Sequence, residues 1–268
     1  MANSTLTARE KNIMKKSTLK IHPLDLGTLI DIEKSLFTIR QNQGVKMNAP
    51  CLAWAILGGG KNILVDSGPC DPESAVKCFK RPLVKSPNQE LEGALKKVGL
   101  RPDDIDIVIF THLHWDHCFN LEKLTKATFI VQKKEIQYAV NPLPTDRVAY
   151  QVGIAGIQPT WMSVFDRIQT LEGETEVVPG INIVLLPGHT PGSQGVVVET
   201  AKGSWVITGD TIPLYENWDK DHVLKRIPGG IYQNLYDYFD TLKKLGIYGD
   251  CILPGHEGKV LEKKVYPG

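Results

Sequence analysis

Four side chains of metal-ligand type fall within six consecutive positions, His112-Leu113-His114-Trp115-Asp116-His117, a density that an ordinary surface loop does not require. The run follows residues 106–110, an apolar stretch that reads as a buried strand, and precedes residues 118–124, which can open a short helix. It is therefore expected in a strand-to-helix loop. Alternate residues of an extended segment point the same way, so His112 and His114 can hold one ion from one side. Asp116 and His117, just past the turn, face a second position beside it.

The same grammar recurs along the chain. Residues 62–68 read as a buried strand ending at Asp66, an acid better suited to orienting a histidine through its free ring nitrogen than to catalysis. Residues 181–186 form a strand that runs into Pro187-Gly188-His189-Thr190-Pro191-Gly192-Ser193. Residues 195–199 and 204–208 pair as a hairpin, and the second strand ends at Gly209-Asp210. After a helix over 233–245, a last strand over 250–253 ends in Pro254-Gly255-His256-Glu257. Of seven histidines, five (112, 114, 117, 189 and 256) thus stand at strand ends, and a fold that gathers strand ends gathers them. Imidazole and carboxylate together suit zinc and related first-row ions, and no cysteine stands at ligand spacing, which argues against a thiolate site. The natural partition gives one ion three histidines and a carboxylate, the other two histidines and two carboxylates, with Asp210 shared.

The rest of the chain is less specific. Residues 19–24 and 36–39 read as early strands around an Asp-rich turn, and 48–57 as a longer strand forming a hairpin with 62–68. Helices are expected over 88–98 and 133–140, with a strand over 128–131 between them. The proline-rich stretch 141–161 suits a substrate-covering loop or an ordinary excursion, and both stay open. Residues 1–18 are polar, without an apolar core for a secretory signal, and are expected to be a flexible tail before a single domain over 19–268. Met14 is a second candidate start.

Bulk properties exclude several classes. With 31 basic against 30 acidic residues, the net charge of +1 offers no general field for nucleic acid or anionic lipid. The apolar runs are far shorter than the roughly 20 residues a membrane span needs. Five cysteines form neither an even set nor a CxxC pair, so they are read as reduced thiols in a cytoplasmic protein, with Cys118 a small packed residue. The expected partner is a small-molecule substrate, not nucleic acid or membrane, and a homodimer is allowed.

Two divalent ions about 3.5–4 Å apart lower the pKa of the water they share toward roughly 7, and the hydroxide between them can attack an ester carbonyl. Asp116 and Asp210 are the carboxylates that can move the proton. The motifs His112-x-His114-x-Asp116-His117, Gly188-His189-Thr190-Pro191-Gly192, Asp210 and His256, in that order and with Leu64-Val65-Asp66-Ser67-Gly68 before them, resemble the metallo-β-lactamase superfamily over about residues 50–257. The stretch Glu172-Gly173-Glu174-Thr175-Glu176-Val177-Val178-Pro179-Gly180 and Glu216-Asn217 make the chain most similar to its N-acyl-homoserine lactonases. The resemblance implies an α/β fold, the αβ/βα four-layer sandwich with two mixed sheets flanked by helices and the metals at one edge. It implies a first metal on His112, His114 and His189, a second on Asp116, His117 and His256, and Asp210 between them. Zinc is favoured, with iron, manganese or cobalt as alternatives.

The implied activity is opening of a lactone, an N-acyl-homoserine lactone or a related cyclic ester, by the bridging hydroxide. One departure is clear: lactonases place a tyrosine three residues after the bridging aspartate, where this chain has Pro213. Tyr215 is the candidate to supply that hydroxyl. The competing readings are hydrolysis of another ester, phosphotriester, carbamate or β-lactam on the same site, a mononuclear-iron persulfide dioxygenase-like oxidoreductase, and a non-catalytic metal-binding protein. Trp115, Phe119, Tyr150, Trp161, Tyr215 and Trp218 are the candidates for shaping a substrate pocket, Trp115 first because it lies between two candidate ligands.

Overall fold

The computed structural model describes residues 17–219, 221–222, 225–248 and 251–268. The expected tail over residues 1–18 therefore lies almost wholly outside the described residues, as do the candidate start at Met14 and the acid Asp250. Among the described residues twelve strands form two sheets. The first contains β1 (Lys20–Glu33), β2 (Lys46–Leu57), β3 (Ile63–Val65), β4 (Leu83–Val84), β5 (Ile107–Ile109), β6 (Thr128–Gln132) and β7 (Ile168–Leu171). Their order across the sheet is β4-β1-β2-β3-β5-β6-β7. The second contains β8 (Thr175–Val178), β9 (Ile181–Leu185), β10 (Gln194–Thr200), β11 (Gly203–Gly209) and β12 (Ile252–Pro254), in the order β12-β11-β10-β9-β8.

Strand periodicity explains the layers. Side chains alternate between the faces of a strand, so an apolar strand buried on both sides feeds two cores at once. Trp54 and Ile56 of β2, Ile63 and Val65 of β3 and Ile109 of β5 meet Ile183, Val196, Val198 and Ile207 of the other sheet in the central layer. Their neighbours Ala53, Ala55, Leu64 and Val108 turn outward against Leu91, Ala94 and Leu95 of α2 (Leu91–Lys96) and Ala139 of α3 (Lys133–Val140). On the second sheet Val184, Val197, Val206 and Ile252 pack against Tyr238, Leu242 and Leu245 of α4 (Leu235–Leu245). A further helix, α1 (Pro72–Phe79), starts at Asp71, whose side chain accepts the Ser74 N–H as an N-cap. Helix, sheet, sheet and helix are stacked in that order, the four-layer sandwich expected.

Two expectations are corrected. Residues 25–33, read in part as an Asp-rich turn, belong to one fourteen-residue strand; the chain accommodates Gly27 (φ 135°) and Asp31 (φ 56°) at irregularities in its pairing with β2. Residues 36–39 are not a strand: a 3-10 turn over Lys34–Leu36 is followed by Phe37, whose ring lies 5.1 Å from that of His256. Among the described residues no helix is long and apolar enough to cross a membrane.

Candidate metal centre

β3, β5 and β6 run parallel in one sheet, and β11 and β12 run parallel in the other. The carboxyl ends of such strands leave a crevice where ligands bind in α/β folds. Asp66 follows β3, His112 to His117 follow β5, His189 follows β9, Asp210 follows β11 and His256 follows β12. All seven residues singled out as ligands come together there.

The first group is a triangle of ring nitrogens. His189 Nε2 lies 3.2 Å from His112 Nε2 and 3.2 Å from His114 Nδ1. The second group surrounds one oxygen, with Asp210 Oδ1 3.3 Å from His117 Nε2 and 3.1 Å from His256 Nε2. Asp116 stands 3.9 Å from His117 Nε2 and 3.7 Å from His256 Nε2. The other oxygen of Asp210 faces the first group, 3.6 Å from His189 Nε2.

The surroundings decide which way the lone pairs point. His117 Nδ1 donates to Asp66 Oδ2 at 2.8 Å, His256 Nδ1 to the Pro50 carbonyl at 2.9 Å, and His189 Nδ1 to the Ile231 carbonyl at 3.0 Å. Thr111 gives its hydroxyl proton to Asp66 at 2.7 Å and so can only accept from His112 Nδ1, 3.1 Å away. In these four rings the outer nitrogen faces an oxygen, so with an ion bound each inner nitrogen would be the unprotonated one. His117 Nε2, His256 Nε2 and Asp210 Oδ1 are buried without a hydrogen-bond partner, as is His114 Nε2. Acceptors held about 3 Å apart repel one another unless a cation or proton lies between them. Donors on one tetrahedral zinc sit about 3.4–3.8 Å apart for bonds of roughly 2.1–2.3 Å, so these residues fit divalent ions.

The electrostatics of the two groups differ. Burial, then the neighbouring histidines, hold His112 well below the ordinary imidazole range, and burial and His189 do the same to His114. Burial works against charge on His117 too, but Asp210, Asp116 and Asp66 together raise it well above that range. Burial opposes ionisation of Asp210, yet His256 and His117 keep its carboxyl well below the usual carboxylate range.

Three supporting features escape sequence reasoning. Glu135 of α3 is fully buried and ties the first group together: Oε1 accepts Leu113 N–H at 3.0 Å and Tyr150 O–H at 2.7 Å, while Oε2 accepts Thr190 O–H at 2.6 Å and Gly192 N–H at 3.2 Å. A Cβ at Gly192 would meet the Glu135 backbone nitrogen at 2.2 Å, so only glycine allows this approach. Tyr238 donates to the backbone carbonyls of Asp210 and Thr211 at 2.8 and 2.9 Å, pinning the loop after β11. Cys51 of β2 enters from a third direction, its sulfur and donor atoms of Asp116 and His256 all lying within 4.8 Å of one another.

Other candidates lie elsewhere. Tyr215 is corrected: its ring packs against the central layer and its hydroxyl faces that of Tyr266, with Glu257 close by, rather than the histidines. The Pro213 carbonyl instead accepts the His256 N–H at 2.9 Å. Tyr215→Phe is therefore expected to leave kcat and KM unchanged on any substrate; a drop in kcat alone would return the phenol to the reaction. Trp115 is stacked on Phe79 with ring centroids 4.4 Å apart, and Trp161 and Trp218 are buried, so these aromatics serve mainly as core. Cys118 is buried and packed, as the sequence suggests. In the stretch 141–161, Tyr150 and Gln151 are buried and the Tyr150 ring lies 4.8 Å from that of His114, so this segment forms a wall beside the first group.

Comparison with known proteins agrees with this architecture. The sequence matches the metallo-β-lactamase superfamily over residues 48–256. It is 31% identical over 189 residues to an N-acyl homoserine lactonase of Bacillus thuringiensis, covering 66% of this chain and 70% of the relative. It is 30% identical over 171 residues to a probable metallo-hydrolase of Methanocaldococcus jannaschii, covering 64% and 66%. A crystal structure of a B. thuringiensis AiiA mutant with N-decanoyl-L-homoserine bound at its active site shares the fold, with a TM-score of 0.73, 24% identity, and coverage of 93% of this chain and 98% of that one. By its matched sequence, its two-sheet sandwich and the histidines and aspartates collected at the strand ends, the chain belongs to the metallo-β-lactamase superfamily.

Proposed function

We propose that the chain, as one hydrolase unit over residues 19–268, opens a lactone, an N-acyl-homoserine lactone or a related cyclic ester, at a dinuclear metal centre. The observation that carries this reading is the set of buried metal-ligand atoms of His117, His256 and Asp210 turned toward each other without hydrogen-bond partners. His112, His114 and His189 would hold one ion and Asp116, His117 and His256 the other, with Asp210 shared. Divalent ions bound there, zinc before iron, manganese or cobalt, supply an acidified water and polarise the ester carbonyl.

The chain's own residues do the rest. Asp66 fixes the His117 ring and Thr111 that of His112, so that the acceptor nitrogens keep their aim through turnover. Asp116 has the most exposed of the seven side chains, at 13%, which suits it to take a proton as the carbonyl is attacked and return it to the leaving alkoxide. Asp210 is the second carboxylate able to do so. The free state of all five cysteines supports a cytoplasmic setting.

A second reading, cleavage of another ester, phosphotriester, carbamate or β-lactam, is favoured by one observation. The phenols around the cluster are engaged elsewhere: Tyr150 with Glu135, Tyr238 with backbone carbonyls and Tyr215 with Tyr266. The lactone oxyanion would lack the phenol contact that lactonases provide.

The test joins elemental analysis of protein purified without chelator to turnover of acyl-homoserine lactones, simple lactones, aryl esters, a phosphotriester and a cephalosporin. About two ions per chain and lactone turnover that disappears on chelation are expected. Two ions with turnover confined to the other substrates would select the second reading. One iron with no hydrolysis of any of them would overturn both.

A further inference from the structure

We propose that Cys51 is a thiolate ligand of the second metal position, adding sulfur to a centre otherwise built from nitrogen and oxygen. The inference rests on the dimetal reading above and assigns a ligand from outside the histidine and aspartate motifs. Cys51 is 1% exposed, and its Sγ and donor atoms of Asp116 and His256 lie within 4.8 Å of one another.

Two independent features aim this group at an ion. The first is His256, whose Nδ1 donates to the carbonyl of Pro50, the residue before Cys51. That bond fixes the imidazole beside the thiol and turns Nε2, buried and without a hydrogen-bond partner, into the cluster. One stretch of β2 thus both orients the histidine and offers the sulfur. The second is the pairing of β2 with β1. Asp25 pairs with Leu52 and Thr28 with Pro50, so Leu26 and Gly27 together stand opposite Cys51 alone. An extra residue of this kind bends the strand and re-aims a side chain, and such irregularities are common beside active sites.

The chemistry is simple to balance. As the metal–sulfur bond forms, the Cys51 S–H bond breaks and the proton passes to solvent, with no change of oxidation state. Sulfur, with the carboxylate of Asp116 and the imidazole of His256, makes a donor set suited to zinc, cobalt or cadmium and poorly suited to magnesium or manganese. The second position would therefore discriminate among metals more sharply than an all-nitrogen-and-oxygen site.

The test uses the full chain, stripped of metal and reloaded with cobalt(II). Two equivalents should bind with visible d–d bands, and a near-ultraviolet thiolate-to-cobalt charge-transfer band should grow with one of them. Cys51→Ala and Cys51→Ser should each lose that band, keep one cobalt and release the other at least about tenfold more readily. Zinc-edge X-ray absorption on the zinc-loaded wild type needs no variant, and should show sulfur at about 2.3 Å. Two bound cobalt ions without the band, its survival in Cys51→Ala, or a zinc shell of nitrogen and oxygen alone would each overturn the assignment while leaving the dimetal centre standing. Failure of cobalt to bind would overturn both.

Discussion

Asp210→Asn should lower bound metal from about two ions toward one and reduce hydrolysis of every ester substrate by at least about a thousandfold. The side chain presents Oδ1 to His117 and His256 at 3.3 and 3.1 Å and Oδ2 toward His189 at 3.6 Å, so its two oxygens serve both halves of the cluster. Asparagine keeps its shape but removes the charge and exchanges one acceptor for an N–H donor. That donor can bond to an imidazole nitrogen and occupy the place of the ion. The fold should survive, because Tyr238 holds the backbone carbonyl of residue 210 and not its carboxylate. Elemental analysis, turnover and a melting curve on one preparation check all three expectations, and full metal content with full activity would refute the shared role.

The legibility of this centre in the sequence follows from how its parts are encoded. Residues that act from the end of their own strand leave a local signature, an apolar run followed by a ligand, and His112, His114, Asp116, His117, His189, Asp210 and His256 all do so. The strands of the central layer are legible for the same reason. Groups that reach the centre across the fold leave none. Glu135 sits in the first turn of α3 between Lys134 and Ile136, where it reads as one more solvated charge until Leu113, Tyr150 and the 190–193 loop close over it. Cys51 stands 65 residues before Asp116 by numbering, so arguments from ligand spacing along the chain discard it.

Short segments mislead for a different reason. Phe37, Thr38 and Ile39 have strand-forming side chains, but they are buried in a turn, by the His256 ring and through the bond from Ile39 N–H to the Pro228 carbonyl. α1 carries a local signal in Asp71-Pro72, a cap followed by proline at the first helical position, that apolar periodicity alone does not detect. Tyr215 shows the limit of carrying a role two positions along a loop. A 3-10 turn over Tyr215–Trp218 rotates the phenol to Tyr266, and the capping bond from Leu214 N–H to Asn217 Oδ1 at 2.9 Å fixes that rotation.

Glu135→Ala should be the most damaging change for stability, by about 3–5 kcal/mol, a fall in melting temperature on the order of 10 °C. Truncation leaves the Leu113 and Gly192 N–H groups and the Tyr150 and Thr190 hydroxyls short of an acceptor, all in a site that water does not reach. Thr190 can turn to Ser193, 2.7 Å away, whereas the two backbone donors are held in direction by the chain. Glu135→Gln separates charge from shape. Its carbonyl oxygen can still serve Leu113 and Tyr150, while its NH₂ can give a hydrogen to the Thr190 oxygen and must oppose the Gly192 N–H, so a smaller loss of about 1–3 kcal/mol is expected. Because these bonds hold the loops carrying His112, His114 and His189, the first ion should also dissociate roughly 10–100 times more readily from the alanine variant. The melting curve of metal-free protein distinguishes this role from that of a ligand: Glu135→Ala must lower it even before any ion is added. A metal-free melt equal to wild type would show that the network does not carry the load assigned to it, whatever happens to the activity.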